Sequence, residues 1–147
     1  MNIKKMISGL VVILFSGIVL AQNKPLITEK EAQLPPAKGE LKTRGIARGP
    51  GVKVLSPDLQ ATVKGPFDLK IKFEPRGGNK IDPQSVKLAY LKSPMVDLTD
   101  RVKQSITDEG INLEKATIPP GEHQIKVTVK DAEGRETNAV ITIMVGK

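Results

Sequence analysis

The stretch QIKVTVKDAEGRETNAVITIMV, residues 124–145, decides the fold class of this chain. Its first seven residues alternate polar and apolar side chains, which places Ile125, Val127 and Val129 on one face. Residues 138–145 also carry an aliphatic side chain at every second position, and the intervening Asp-Ala-Glu-Gly has the composition of a tight turn. A period of two is typical of a half-buried antiparallel strand, so this stretch predicts a β-hairpin.

Similar alternation marks further strands upstream of the hairpin. It is clearest in residues 67–74 and 85–90, and shorter candidates lie at residues 52–55, 60–63, 111–113 and 116–118. One short helix is predicted at residues 100–106, capped by Thr99, as a connector between strands. About seven short strands with aliphatic inward faces predict an all-β chain, a single antiparallel β-sandwich of immunoglobulin-like size over residues 52–147.

The N-terminus predicts export. Lys4 and Lys5 precede an apolar run over residues 7–20, which ends at Val-Leu-Ala with Ala21 at the cleavage position. The run is short for a membrane span, so residues 1–21 are predicted to be a signal peptide that is removed near Ala21. The mature protein is then expected in the periplasm or outside the cell, with no stable membrane insertion after processing.

Residues 22–51 interrupt the pattern of the chain. They are rich in Pro, Gly, Lys and Arg, contain few large apolar side chains and show no period. Such a composition is typical of a flexible basic linker, although a short segment such as residues 41–46 is left open as a packing element. We therefore expect deletion of residues 23–48 to leave the melting temperature of the domain nearly unchanged.

Two segments of the predicted domain resemble a known family. Residues 121–134, GEHQIKVTVKDAEG, resemble the penultimate strand and turn of bacterial immunoglobulin-like domains, and residues 54–57, VLSP, resemble their first strand and kink. The resemblance implies an immunoglobulin-like sandwich in an exported protein and brings no activity with it. His123 and Ile125 stand where immunoglobulin domains have a corner Tyr and, two residues later, a Cys. A structural role for His123 follows, with its ring hydrogen-bonded to the corner of the sandwich.

Composition narrows the possible chemistry. The chain has one His and no Cys, which excludes disulfides, thiolate metal sites, a Cys nucleophile and sites that need two histidines. The carboxylates that could act as an acid–base pair fall in predicted turns, where solvated turn formation explains them, and they are Asp97 with Asp100, Asp108 with Glu109, and Asp131 with Glu133 and Glu136. We predict no catalytic residues, no cofactor and no metal site, so that the protein is not an enzyme. Calcium binding by the loop carboxylates of residues 108–109 or 131–133 is left open.

The predicted partner surface is one face of the sandwich. In immunoglobulin-like folds strands C, F and G share a sheet. Alternation places an apolar centre with a positively charged rim on the outer face of that sheet, and its residues are Lys87, Ala89, Leu91, Lys126, Val140 and Met144.

These observations predict the function as an exported, non-catalytic immunoglobulin-like binding module that engages a protein or a cell-envelope component. The alternative is an accessory or carbohydrate-binding module, and a small hydrolase comes last. Nucleic acid is not an expected partner, because only 3% of the residues are aromatic although the net charge is +7.

Overall fold

The computed structural model describes residues 25–39 and 48–147. The predicted signal peptide and its cleavage site lie outside the described residues. Across the described part, the chain forms eight strands and two short α-helices, the second followed by a 3₁₀ turn. The elements are α1 (Glu29–Ala32), β1 (Gly51–Ser56), β2 (Thr62–Val63), β3 (Phe67–Glu74), β4 (Ile81–Tyr90), β5 (Val96–Asp97), α2 (Thr99–Val102), β6 (Gly110–Ala116), β7 (Gly121–Asp131) and β8 (Glu136–Val145).

The strands form two sheets. The small sheet has the order β1-β3-β6, and the large sheet has the order β2-β8-β7-β4-β5. The pairings are antiparallel except for that of β2 with β8, which is parallel. The predicted all-β sandwich is thus confirmed. Strands β1, β3 and β6 of the small sheet thus pack against the large sheet, whose central strands are β8, β7 and β4.

Strands β7 and β8 form the hairpin that the sequence predicts. Their pairing runs from Lys130 opposite Glu136 to Gly121 opposite Val145 without a register shift. One oxygen of the buried Asp131 carboxylate accepts hydrogen bonds from two backbone N–H groups of the turn, and the other accepts from Arg135 Nε at 2.8 Å. A carboxylate that accepts several hydrogen bonds stabilises a turn, because the backbone N–H groups there have no partner on a neighbouring strand.

The core lies between the sheets and follows the predicted alternation. Every second side chain of β3 and of β7 is buried. The buried aliphatic side chains of β8, the neighbour of β7, belong to the same core. Three aromatic side chains of the described residues, Phe67, Phe73 and Tyr90, are buried among them. Burial of this apolar surface is the main term that stabilises the sandwich.

The connections around α2 differ from the sequence prediction. The helix ends at Val102 rather than Ile106, and Leu98 takes the cap position without a side-chain hydrogen bond. Thr99, the predicted cap, instead accepts a hydrogen bond through Oγ1 from the Leu88 N–H at 3.1 Å. Strand β6 is one strand rather than two, because its pairing with β3 resumes at Ala116 after a register shift. At this irregularity Lys115 adopts a left-handed conformation with φ 52°.

Residues 25–39, which we name the N-terminal strap, correct the linker prediction. Leu26 and Ile27 are buried in the core. Helix α1 follows them with a reciprocal cap, in which the Thr28 and Glu31 side chains each accept a hydrogen bond from the other's backbone N–H. An adjacent Leu-Ile pair carries neither a strand nor a helix period, so no local pattern indicates this packing.

Side chains from distant parts of the chain hold the strap in place. Arg101 donates to the Leu26 carbonyl at 2.8 Å and forms a two-pronged ion pair with Glu31 at 2.8 and 2.5 Å. Lys92 Nζ donates to the Ala32 carbonyl at 3.1 Å, and the Leu26 N–H donates to the Thr117 carbonyl at 2.9 Å. The strap therefore belongs to the folded domain, and the remainder of the predicted linker up to residue 47 lies outside the described residues.

Candidate functional site

The outer face of the large sheet carries most of the predicted partner surface. The register aligns Ala89, Lys126 and Val140 in one row across β4, β7 and β8. These three side chains are half-buried, as expected where neighbouring side chains shield one another on a sheet. Lys87 lies on the same face, and Met144 lies further along β8 with 40% of its surface exposed. Five of the six predicted residues therefore share this face.

Leu91 is a correction to that prediction, because it is only 5% exposed. Strand β4 ends at Tyr90, and the backbone of Leu91 donates to the Gln124 carbonyl and accepts from the N–H of Ala37 in the strap. The strap continues alongside, where Pro36 forms a bridge with Lys92. The alternation used for the prediction does not extend beyond the end of the strand, and residues of the strap cover this edge.

Met95 is a surface residue that the sequence analysis missed. Its side chain is 54% exposed. Together with Lys87, Ala89, Asp97 and Lys126 it lines a shallow depression of about 250 Å³. Strand β5 has only two residues, so no period in the sequence marked it. Hydrogen bonds from Thr99 lower the pKa of Asp97, which keeps this carboxylate ionised beside the lysines.

His123 lies at the corner of the sandwich, as the sequence predicts. Its Nε2 is 2.7 Å from the carbonyl oxygen of Pro119, four residues upstream, and its Nδ1 is 2.8 Å from the Tyr90 hydroxyl oxygen. A carbonyl oxygen only accepts, so we assign the proton to Nε2, and Tyr90 donates to Nδ1. The corner Tyr of immunoglobulin domains likewise bonds to the backbone a few residues upstream.

The electrostatic setting of His123 favours the neutral ring. Burial is the main cause that lowers the pKa of His123, the positive charge of Lys92 adds to it, and the hydrogen bond to Pro119 opposes it. Both ring nitrogens are engaged, so neither is free to act as a general base or a metal ligand. The contribution of His123 to stability stays a prediction.

The predicted carboxylate clusters do not converge on a common point. Asp131 uses both oxygens within its own turn, and Glu133 contacts the same arginine, Arg135. Asp108 and Glu109 lie in the loop before β6. Within residues 25–39 and 48–147, no group of three or more His, Cys, Asp or Glu side chains is placed to hold a metal ion.

The described residues also bear on a carbohydrate site and on a membrane-spanning helix. Phe67, Phe73 and Tyr90 are buried, so their ring faces are not available for stacking on a sugar. Among the residues that the structure places, no helix has the length and apolar character needed to cross a bilayer.

Comparison with known proteins returns no match, either to a family model, to a curated protein or to a solved structure.

Proposed function

We propose that this chain is an exported, non-catalytic binding module of the immunoglobulin-like class, which engages a protein or cell-envelope partner. Two structural features support the immunoglobulin-like class. The strand order agrees with that fold, and the corner hydrogen bond of His123 occupies the place of the corner Tyr. Support for export comes from the N-terminal sequence pattern.

The observation that carries the binding role is the outer face of the large sheet. In the row across β4, β7 and β8, Lys126 lies between the apolar side chains of Ala89 and Val140, which corrects the expected apolar centre with a charged rim. The exposed side chains of Met95 and Met144 add apolar surface beside this row. Methionine adapts its shape to a partner, which makes it frequent at binding surfaces. Exposed apolar side chains interspersed with charged ones provide both the contact area and the polar contacts that a protein interface uses.

The charges around this face favour a protein partner with exposed acidic groups. Lys87 and Lys126 border the depression, and Asp97 is the one carboxylate that lines it. The side chains on this face lack aromatic rings, and stacking rings are what carbohydrate and single-stranded nucleic acid sites use.

The test uses the chain from Gln22 onward as bait, because it keeps every described residue. The double variant Val140→Glu and Met144→Glu is expected to stay folded. The amount of partner that it retains from an envelope extract is expected to fall at least about tenfold, since two charges replace apolar side chains of this face. The control Gln104→Glu adds a charge at an exposed position away from this face. Equal retention by the double variant would reject the face, and no retention by the unaltered chain would reject the binding role.

Export has a separate test. Intact-mass analysis of the protein recovered from the periplasm or the medium is expected to show a chain that begins at Gln22. Recovery in the membrane fraction with residues 1–21 attached would contradict the expectation.

A further inference from the structure

We propose a second binding site, a charged groove that accepts an extended peptide segment of a partner protein. The groove has a volume of about 810 Å³ and lies along β3 and the loop before β6, beside the first residue of β4. It is lined by apolar atoms, by three lysines and by two carboxylates of the loop before β6, and the residues used in the argument are Leu55, Lys70, Lys72, Lys80, Asp108 and Glu109. A volume of this size lies in the range of ligand sites.

The floor of the groove follows from the register of three strands. Lys72 of β3 lies between Lys53 of β1 and Gly110 of β6, and Lys70 lies opposite Asn112. Gly110 has φ 153°, and a Cβ atom there would meet the Ile71 carbonyl oxygen at 1.9 Å. A glycine is therefore required at this position, because the backbone of β3 passes too close for any side chain.

Charges of opposite sign border the groove without neutralising each other. Within the described residues, Lys70, Lys72 and Lys80 form no ion pair, and the same holds for Asp108 and Glu109. Lys72 also faces a like charge directly across the strand pair, in Lys53. Like charges in that position destabilise a sheet, and an acidic group of a partner at Lys72 relieves the repulsion.

The order of these groups across the sheet defines the ligand. Leu55 on β1 is 56% exposed, the lysines of β3 follow, and the carboxylates of the loop before β6 come last. Neighbouring strands are about 5 Å apart, so the three groups span roughly 10 Å, which three to four residues of an extended peptide cover at about 3.3 Å each. The matching segment carries an apolar residue, then an acidic residue and then a basic residue, within about five positions.

This site is independent of the proposed partner surface, because none of its lining residues belongs to that surface. Its test therefore uses a chemical probe rather than an extract. The peptide acetyl-LGDGK-amide presents the three groups in the expected order, and acetyl-LGKGD-amide has the same composition with the charges exchanged. Each is titrated up to about 10 mM into the ¹⁵N-labelled chain from Gln22, because isolated charge and apolar contacts give millimolar affinity.

The expected result is a saturable shift of the amide signals of Lys70, Lys72 and Gly110 with the first peptide, and a much smaller one with the second. The variants Lys72→Gln and Glu109→Gln are each expected to weaken binding about two- to fivefold, as for partly exposed ion pairs. The matched control is Lys64→Gln, which removes the same charge from an exposed side chain that does not line the groove. It is expected to leave the affinity within about twofold.

Three outcomes overturn the proposal. The first is equal affinity for the two peptides, which would show that the order of charges does not matter. The second is an equal effect of Lys64→Gln and Lys72→Gln, which would show a response to net charge alone. The third is the absence of saturable shifts at the groove with either peptide.

Discussion

The hairpin of β7 and β8 and the N-terminal strap each contribute a fully buried isoleucine, and the two regions are held by different interactions. Ile125 lies in a strand that pairs along its whole length with β8. Ile27 lies in a segment that has few backbone pairs and depends on Arg101 and Lys92, which are 60 to 75 residues away from their partners in the chain. The comparison shows that burial of a side chain does not require strand pairing of its backbone, because a segment with few backbone hydrogen bonds still completes this core.

The strongest test of the comparison is a matched pair of substitutions, Ile27→Ala and Ile125→Ala. Both side chains are 0% exposed, so each change is expected to lower the free energy of unfolding by about 2–5 kcal/mol through lost burial and a residual cavity. Urea denaturation measures both. The control Gln33→Ala changes an exposed residue of the strap and is expected to stay within about 0.5 kcal/mol.

A loss below about 1 kcal/mol for Ile27→Ala alone would show that the strap detaches before the sandwich unfolds. The same reasoning reverses the earlier expectation for deletion of residues 23–48. Because that deletion removes Leu26 and Ile27 from the core, it is now expected to lower the melting temperature by many degrees.

His123 connects the two regions. It lies in β7 and is hydrogen-bonded to Tyr90. The Tyr90 ring in turn lies 5.4 Å from the ammonium group of Lys92, which is hydrogen-bonded to the strap. His123→Ala is expected to cost about 1–3 kcal/mol, because it leaves the Tyr90 hydroxyl without its buried partner. Thermal melting measures the loss, with the exposed neighbour substitution Gln124→Ala as control. An unchanged melting temperature together with lost partner binding would assign His123 a functional role instead.

The pH dependence of stability gives His123 a second readout. Burial lowers its pKa in the folded state below the ordinary value of 6.5, so the unfolded chain binds the proton more readily. Stability from the neutral ring is present above pH 6.5 and is lost as the pH falls from there towards the folded-state pKa. The difference in unfolding free energy between the unaltered protein and His123→Ala is therefore expected to shrink on acidification, as urea titrations between about pH 7 and 5 measure.

Glu31→Gln tests the ion pair of the strap. The hydrogen bonds from Arg101 are the main cause that lowers the pKa of Glu31 from 4.5 to about 2. Its ionised form thus contributes stability that is present above pH 4.5 and is lost as the pH falls towards 2. The free energy of unfolding of the variant is expected to be about 1 kcal/mol lower at pH 7, a modest value because both partners are partly exposed. On acidification, this free energy is expected to fall less in the variant than in the unaltered protein. Equal acid dependence would contradict this assignment.

The smallest effect is expected for Thr28→Ala, which removes one half of the reciprocal cap of α1. Such caps contribute about 0.5–1 kcal/mol, and here the helix has only four residues. The change is measured by urea denaturation beside Thr117→Ala, an exposed threonine outside the helix. A loss as large as that of Ile27→Ala would show that the cap, rather than burial, holds the strap.

Features with a local signal were predictable from the sequence, and features built by distant residues were not. Strand β3 and the hairpin follow an alternation that needs no knowledge of the partner strand. The burial of Leu26 depends on Arg101 and Thr117, which no pattern near Leu26 encodes. The same strap explains the error at Leu91, since alternation along β4 cannot show that another segment covers its end.

The candidate site divides in the same way. Five residues of the outer face were assigned correctly, because a strand period fixes the face of each side chain. Met95 was missed, as it follows the end of β4 and precedes a strand of two residues. The groove on the small sheet was also missed, since it depends on how the register aligns Leu55, Lys72 and Gly110.

The edges of the two sheets determine how copies of this protein behave when they are crowded together. The large sheet ends in strands of two residues, and the pairing of β1 with β3 shifts before Ser56. Along β6 the Ile106–Ile111 bridge covers one end, while the left-handed Lys115 and the Leu26–Thr117 hydrogen bond close the other. Short and irregular edges give a neighbouring chain little template for intermolecular β-pairing. Because Leu26 of the strap donates to Thr117 just beyond the end of β6, chains that have lost the strap are expected to expose that end to pairing and to aggregate more readily.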